Sequence, residues 1–366
     1  MYNRKLTKAV KVGNIGIGGH YPITVQSMTN TQTADVAATL AQINQLVDAG
    51  CEIVRVAVNT TAAAAGFAEI RRKMPDVPLV ADIHFDHQLA LAAIEAGADK
   101  IRINPGNIGE NWKVKAVADM AKKRGIPIRI GVNGGSLEAD LLEKYGVSAQ
   151  AMVESALRNV RLLNDHDFDD IVISIKASNV PMSLEAHKIL SKSVDYPLHI
   201  GITEAGTLFS GTIKSTAGLA AMLTCGIGDT VRISLTADPV EEVRAARELL
   251  KALKLRHFGP EIISCPTCGR CEINLVPIAE EIERLVAHIK APIKIAIMGC
   301  VVNGPGEAKE CDIGIAGGRG VGILFKKGKI VRKVSENEII PALINEINDL
   351  VNNAEKTHEY QRKETI

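Results

Sequence analysis

Two short stretches late in the chain carry the strongest chemical signal. Ser264-Cys265-Pro266-Thr267-Cys268-Gly269-Arg270-Cys271 sets thiols two residues apart. Gly299-Cys300-Val301-Val302-Asn303-Gly304-Pro305-Gly306-Glu307 brings another thiol on a glycine-rich loop. A two-residue spacer lets two thiolates face one centre across a tight turn, and such spacing suits zinc or an iron–sulfur cluster. Three ligand sets fit these residues. Zinc takes four ligands, and Cys265, Cys268, Cys271 and Cys300 can supply them. A four-cysteine cluster can use the same set. A four-iron cluster can instead take three thiolates and one unusual ligand, and Glu307 stands on the Cys300 loop. A carboxylate binds iron weakly, so it can leave and open one iron to substrate. Cys311 reads as a core thiol, and Cys51 and Cys225, each following a helix, read as structural.

A second constellation lies upstream. Val54-Arg55-Val56, Ile101-Arg102-Ile103, Ile128-Arg129-Ile130 and Val231-Arg232-Ile233 each place an arginine inside an apolar strand, and Lys176 ends another such run. A charge in an apolar strand is costly unless something anionic pairs with it. Asp82 and Glu204 are the carboxylates at strand ends, too few to neutralise five cations. The missing charge is therefore assigned to a substrate. Guanidinium forks match phosphate oxygens, so a diphosphate or another polyanion is expected. The competing reading is that the arginines brace strand ends through internal ion pairs. Asp82, His84, Asn104, Asn133, Ser174, His199, Thr203 and Glu204 fall at or just after strand ends. Glu204, followed by Ala205-Gly206, is the acid–base candidate.

These residues need a scaffold that brings strand ends together. Candidate strands are Ile23–Ser27, Ile53–Val58, Leu79–Ile83, Lys100–Asn104, Ile126–Val132, Ile171–Lys176, Leu198–Thr203 and Thr230–Leu235. Helical stretches alternate with them near 34–49, 61–74, 87–96, 111–124, 148–164, 182–192, 213–225 and 239–253. Thr33, Asp86, Ser148 and Asp238 are cap candidates, and Gly50, Gly97, Gly125 and Gly226 are stop signals. Eight strand–helix units in roughly 250 residues predict a (β/α)8 TIM barrel, whose catalytic face is the C-terminal end of the strands. A doubly wound sheet would place a glycine-rich phosphate loop after the first strand, and none stands there. Gly16-Ile17-Gly18-Gly19 precedes that strand and reads as a hairpin turn.

The barrel is expected over residues 1–258, with Arg256-His257-Phe258-Gly259-Pro260 as linker. A smaller α+β domain over 259–366 would hold the cysteines. Its strands are expected at Glu261–Ser264, Ile293–Met298, Ile313–Ala316, Gly322–Phe325 and Ile330–Val334, and its helices at 273–289 and 337–352. The charged tail from Asn353 is expected to fray.

Composition agrees with this class. Hydrophobic residues make up 46% and aromatics only 3%, so the core rests on aliphatic side chains, as covered parallel strands require. The formal charge of +1 gives no field favouring nucleic acid or a membrane. No apolar run reaches the roughly 18 residues of a membrane span. The N-terminus lacks the apolar core of a signal peptide, so cytoplasm is the expected compartment. Five of seven cysteines fall in the last third, which favours metal over disulfides.

Six motifs together resemble one family. They are Pro22–Thr31, Ala81-Asp82-Ile83-His84-Phe85, Arg102-Ile103-Asn104-Pro105-Gly106-Asn107, Gly201-Ile202-Thr203-Glu204-Ala205-Gly206, Ile263–Arg270 and Gly299–Glu307. Over nearly its whole length the chain resembles the bacterial 4-hydroxy-3-methylbut-2-enyl diphosphate synthases of the methylerythritol phosphate route to isoprenoids. The resemblance implies reductive ring opening of 2-C-methyl-D-erythritol 2,4-cyclodiphosphate with loss of water. It implies a [4Fe-4S] cluster on Cys265, Cys268, Cys300 and Glu307, with Cys271 not a ligand. Arg55, Arg102, Arg129, Lys176, Arg232 and Ser264 would hold the diphosphate. Glu204 and Asn133 would lie near the reacting carbons, with Asp82 and His84 close by. A flavodoxin or ferredoxin would supply electrons. A homodimer is implied in which the cluster domain of one subunit faces the barrel of the other.

Overall fold

The computed structural model describes residues 3–301 and 308–363. The chain divides into two compact units, Met1–Arg256 and His257–Ile366.

The first unit opens with a small hairpin, β1 (Val10–Val12) and β2 (Ile15–Ile17). Eight parallel strands follow: β3 (Thr24–Met28), β4 (Ile53–Ala57), β5 (Leu79–Asp82), β6 (Lys100–Ile103), β7 (Ile128–Asn133), β8 (Ile171–Lys176), β9 (His199–Ile200) and β10 (Thr230–Val231). They join in the order β8-β7-β6-β5-β4-β3-β10-β9, and a parallel bridge between Ile173 and Leu198 links the two ends. The sheet is thus closed into the expected barrel.

Helices α1 (Val36–Asp48), α2 (Thr61–Lys73), α3 (His87–Glu95), α4 (Pro105–Ile108), α5 (Asn111–Arg124), α6 (Ala139–Tyr145), α7 (Ala149–Asn164), α8 (Val180–Ser193), α9 (Leu208–Thr224) and α10 (Pro239–Ala252) fill the connections. The short α4 and α6 were not expected from sequence; both lie in connections that leave the C-terminal ends of strands. Asp86, Ser148 and Asp238 cap their helices, each accepting a backbone N–H. Asp35 caps α1 instead of Thr33, whose hydroxyl donates to the Ala57 carbonyl. Gly50, Gly97, Gly125 and Gly226 all have positive φ at helix ends.

The hairpin turn is Gly13-Asn14, not Gly16–Gly19. Gly16 is itself paired with Lys11 in β2, and a Cβ there would lie 2.5 Å from the Tyr21 ring. Its small size serves packing rather than turning. Val10, Val12 and Ile17 pack on Ile53, Val80 and Val172 at the N-terminal ends of their strands. The hairpin therefore plugs the end of the barrel opposite the catalytic face. Ile17 is fully buried in that plug. Ile17→Ala should cost about 2–5 kcal/mol, read as a lower denaturant midpoint, while anion binding at the far end is retained.

The last two barrel strands are shorter than expected. Past β10, the Leu235 N–H donates to the Glu242 carboxylate, 3.0 Å, rather than to a neighbouring strand.

The second unit carries the sheet β11 (Glu261–Ser264), β12 (Lys294–Met298), β13 (Ile313–Gly318), β14 (Val321–Lys326) and β15 (Lys329–Ser335), in that order. The first three strands run parallel and the last two turn antiparallel. Helices α11 (Leu275–Val286) and α12 (Ile339–Lys363) bury Ile278, Ile282, Ile339, Leu343 and Ile347 against Ile295, Ile297, Ile313, Ile315 and Leu324. The last helix continues past Asn353 through Lys363, where fraying was expected.

Candidate functional site

Strand register decides which side chains enter the barrel. Arg102 pairs with Arg129 across β6 and β7, and Asn133 pairs with Lys176 across β7 and β8. Arg55, Arg102, Arg129 and Lys176 are all buried, with Arg129 only 1% exposed. Two glycines make the room. A Cβ at Gly131 would lie 2.2 Å from the Arg102 Nε, and one at Gly201 would press on the Arg232 carbonyl at 2.6 Å and Lys176 Nζ at 3.4 Å. The bare backbone at both positions lets cationic side chains lie flat across the interior.

Asp82 holds the centre of this group. Its carboxylate meets Arg102 Nη1 at 3.3 Å, His84 Nε2 at 3.4 Å and Arg55 Nε at 4.0 Å. Burial alone would raise its pKa, but Arg55, His84, Arg102 and Arg129 outweigh burial and hold it well below the carboxylate range. Asp82 is therefore a fixed anion and cannot donate a proton near neutral pH. Burial and the charges of Arg232 and Arg102, partly offset by Asp82, bring Arg55 down to about 10.

Arg232 has a partner that sequence reading missed. Glu242 of α10 accepts from Arg232 Nε at 3.2 Å and Nη2 at 3.3 Å, and from the Ser27 hydroxyl at 2.8 Å. This arginine therefore has an internal ion pair of the kind the bracing alternative expects. Its one trace in the sequence is position: Glu242 sits in the first turn of the helix that follows the Arg232 strand. Lys100 was also missed, because it opens β6 and reads as a strand edge; it is 0% exposed.

Cations still exceed carboxylates inside the barrel. Asp82 and Glu242 face Arg55, Lys100, Arg102, Arg129, Lys176 and Arg232. Arg129 Nε and Nη1 and Lys100 Nζ have no hydrogen-bond partner among the described residues. A buried guanidinium without a partner costs several kcal/mol. These buried donors are left without acceptors among the described residues.

Neutral groups line the same end. Asn133 ends β7, Asn104 follows β6 and is buried with its Oδ1 unpartnered among the described residues, and Ser174 lies inside β8. Glu204 is exposed beyond β9, with φ +51, a conformation non-glycine residues adopt at a cost of about 1–3 kcal/mol. Its carbonyl accepts from Lys214 Nζ at 3.3 Å.

In the second unit the thiols gather at one end of the sheet. Cys265 directly follows β11, Cys300 lies two residues past the end of β12, and these strands are parallel neighbours in which Ser264 pairs with Ile297. The Gly299 N–H donates to Cys265 Sγ at 3.2 Å. Cys268 is exposed, and the Arg270 backbone N–H and side chain hold its thiol below the ordinary range. The Cys271 thiol turns inward, donating to the Ile273 carbonyl at 3.2 Å, and a Cβ on Gly299 would strike it at 2.6 Å. Cys311 is buried in an apolar cluster and Cys51 is buried, its thiol pushed up to about 12 by burial; Cys225 is exposed. Ser264 ends β11 and is exposed. Glu307 lies outside the described residues. Soft thiolate donors on adjacent strand ends suit an iron–sulfur cluster. Among the described residues no three His, Cys, Asp or Glu side chains converge on a single-ion site.

Comparison with known proteins gives a consistent answer. The GcpE TIM-barrel domain matches residues 7–247, and the GcpE protein C-terminal domain matches residues 261–349. A relative from Anoxybacillus flavithermus, named 4-hydroxy-3-methylbut-2-en-1-yl diphosphate synthase (flavodoxin), is 60% identical over 95% of this chain and 96% of its own. Relatives of the same name from Bacillus subtilis and Geobacter sulfurreducens are 59% and 58% identical, covering 95% and 94% of this chain and 92% and 98% of theirs. With both domain families matched in chain order and identity this high from end to end, the chain belongs to the GcpE family.

Proposed function

We propose that the chain is a 4-hydroxy-3-methylbut-2-en-1-yl diphosphate synthase. It opens the ring of 2-C-methyl-D-erythritol 2,4-cyclodiphosphate and releases a carbon-bound oxygen as water. Counted on the fully protonated acids, the reaction consumes two electrons and two protons. The observation that carries this reading is the surplus of buried cations in the barrel, which suits a diphosphate.

Arg55, Arg102, Arg129, Lys176 and Arg232 bind the diphosphate, and Ser264 adds a hydroxyl. Asp82 stays ionised and fixes Arg55, Arg102 and His84 in place. Asn133 orients the carbon skeleton. Glu204 delivers the proton that the departing hydroxyl needs. Cys265, Cys268, Cys300 and Glu307 would hold a [4Fe-4S] cluster, which supplies single electrons and a Lewis-acidic iron. Redox-inert zinc on the same thiols would supply only the second.

A flavodoxin is the expected donor, as the relatives' names indicate. No described helix is long and apolar enough to cross a membrane. A cytoplasmic homodimer, with one subunit's cluster domain facing the other's barrel, completes the reading.

The test is anaerobic iron and sulfide quantitation with turnover of the cyclic diphosphate. About four irons with matching sulfide and reductive turnover are expected. One zinc per chain, or full activity in iron-free protein, would sink the assignment. Arg129→Ala should weaken inorganic pyrophosphate binding by about a hundredfold, within the 2–5 kcal/mol that a buried charged hydrogen-bond partner commands. The loss should be greater at low salt than at high salt if Arg129 meets phosphate; calorimetric titration at two ionic strengths checks both points.

A further inference from the structure

Lys100 lies deeper in the barrel than the arginines. It pairs in register with Val80, part of the apolar floor beneath the site, and stands two residues before Arg102 on the same strand. It is 0% exposed, and its Nζ has no hydrogen-bond partner among the described residues. Other polar atoms in the barrel strands are stranded as well. His199 is fully buried, with Nδ1 3.4 Å from the Thr230 hydroxyl and Nε2 unpartnered among the described residues. Both amide atoms of buried Gln26 lack a partner among the described residues.

An ammonium without acceptors in an apolar strand costs far more than an amine does. The charges acting on Lys100 are both positive: Arg129 from β7 and Arg55 from β4. His199 from β9 feels Lys100, Arg129, Lys176 and Arg55 together. The nearby carboxylates are committed elsewhere, Asp82 to Arg55, Arg102 and His84, and Glu242 to Arg232. Burial first, then these guanidinium groups, hold the Lys100 ammonium well below its ordinary range. A dianion arriving among the arginines reverses the local field and favours the charged lysine.

We propose that Lys100 is an unassigned floor residue of the anion site, and that it takes up a proton when an anion enters. The inference rests on the barrel interior being an anion site. It makes binding proton-linked in a definite direction. The complex holds more protons than the empty protein, so affinity falls as pH rises, by up to about tenfold per pH unit for each proton coupled.

The probe is sulfate, a dianion with no titratable proton in the working range. Sulfate is titrated into the full-length protein in weak buffer under a pH-stat, and bound sulfate and proton uptake are measured together. Wild-type protein is expected to take up protons on binding. Lys100→Met is expected to take up about one fewer, to bind sulfate at least tenfold more weakly, and to show a shallower pH dependence. Lys100→Gln, a polar replacement, serves if the methionine variant does not fold. Sulfate binding without proton uptake in wild type, or unchanged affinity and uptake in the variant, overturns the role of Lys100 alone. A wild-type protein that binds neither sulfate nor pyrophosphate overturns the anion site itself.

Discussion

Cys300→Ser should give a folded protein with little iron and no detectable turnover. The physical reason lies in what holds Cys300. It is buried two residues beyond β12, and the preceding Gly299 N–H is already committed to Cys265 Sγ at 3.2 Å. The backbone leading into Cys300 is thereby tied to the Cys265 thiol. Serine is nearly the same size, so the fold of this unit, which rests on the aliphatic packing of α11 and α12 against the sheet, survives the change. Its hydroxyl is a much poorer iron ligand than a thiolate, so cluster content should drop from about four irons per chain to well under half of that. Cys271→Ser is the matched control. The Cys271 thiol is directed to the Ile273 carbonyl and fills the space over Gly299, and a serine hydroxyl can make the same hydrogen bond. That variant should keep its iron. Iron and sulfide analysis beside a thermal melt separates the two. Full iron in Cys300→Ser, or loss of iron in Cys271→Ser at unchanged melting temperature, would show that the wrong thiols were chosen.

The barrel could be read from the sequence because its signals are local. Each strand is a short β-branched run, each helix an alanine- and leucine-rich stretch, and the expected stops Gly50, Gly97, Gly125 and Gly226 all have positive φ. The arginine echo was equally visible, since a charge within an apolar run announces itself. What escaped was pairing between elements. Glu242 neutralises Arg232 from the following helix, and no local pattern says that a first-turn glutamate points into the barrel. Lys100 looked like the polar start of a strand, yet register with Val80 puts it on the inward face. The hairpin turn was misplaced for a similar reason. Gly16 is small because Tyr21 packs on it, which is a tertiary fact. The short β9 and β10 follow the same logic, with backbone beyond β10 diverted to a side-chain carboxylate.

Glu204→Gln should lower turnover by about 10²–10⁴-fold, the range a positioned proton donor contributes, with iron content and pyrophosphate affinity unchanged. The backbone argues that this side chain is placed for a purpose. Ile202 and Ala205 are buried on either side, Gly206 turns with φ +121, and Glu204 itself is held at φ +51. A non-glycine residue held there stores about 1–3 kcal/mol of strain, which the surrounding structure must impose. Glu204 stands exposed in the connection between β9 and α9, which leaves the C-terminal end of a barrel strand, the end that carries the chemistry in folds of this kind. Glutamine has the same shape and can hold the same backbone, so only the proton is removed. A structural role would instead reveal itself as a lower melting temperature or weaker anion binding. Steady-state kinetics with a chemical reductant, run beside pyrophosphate calorimetry and iron analysis, reads all three quantities on one preparation. Turnover within a fewfold of wild type would remove Glu204 as the acid and shift attention to His84, since Asp82 is held too firmly ionised to take its place.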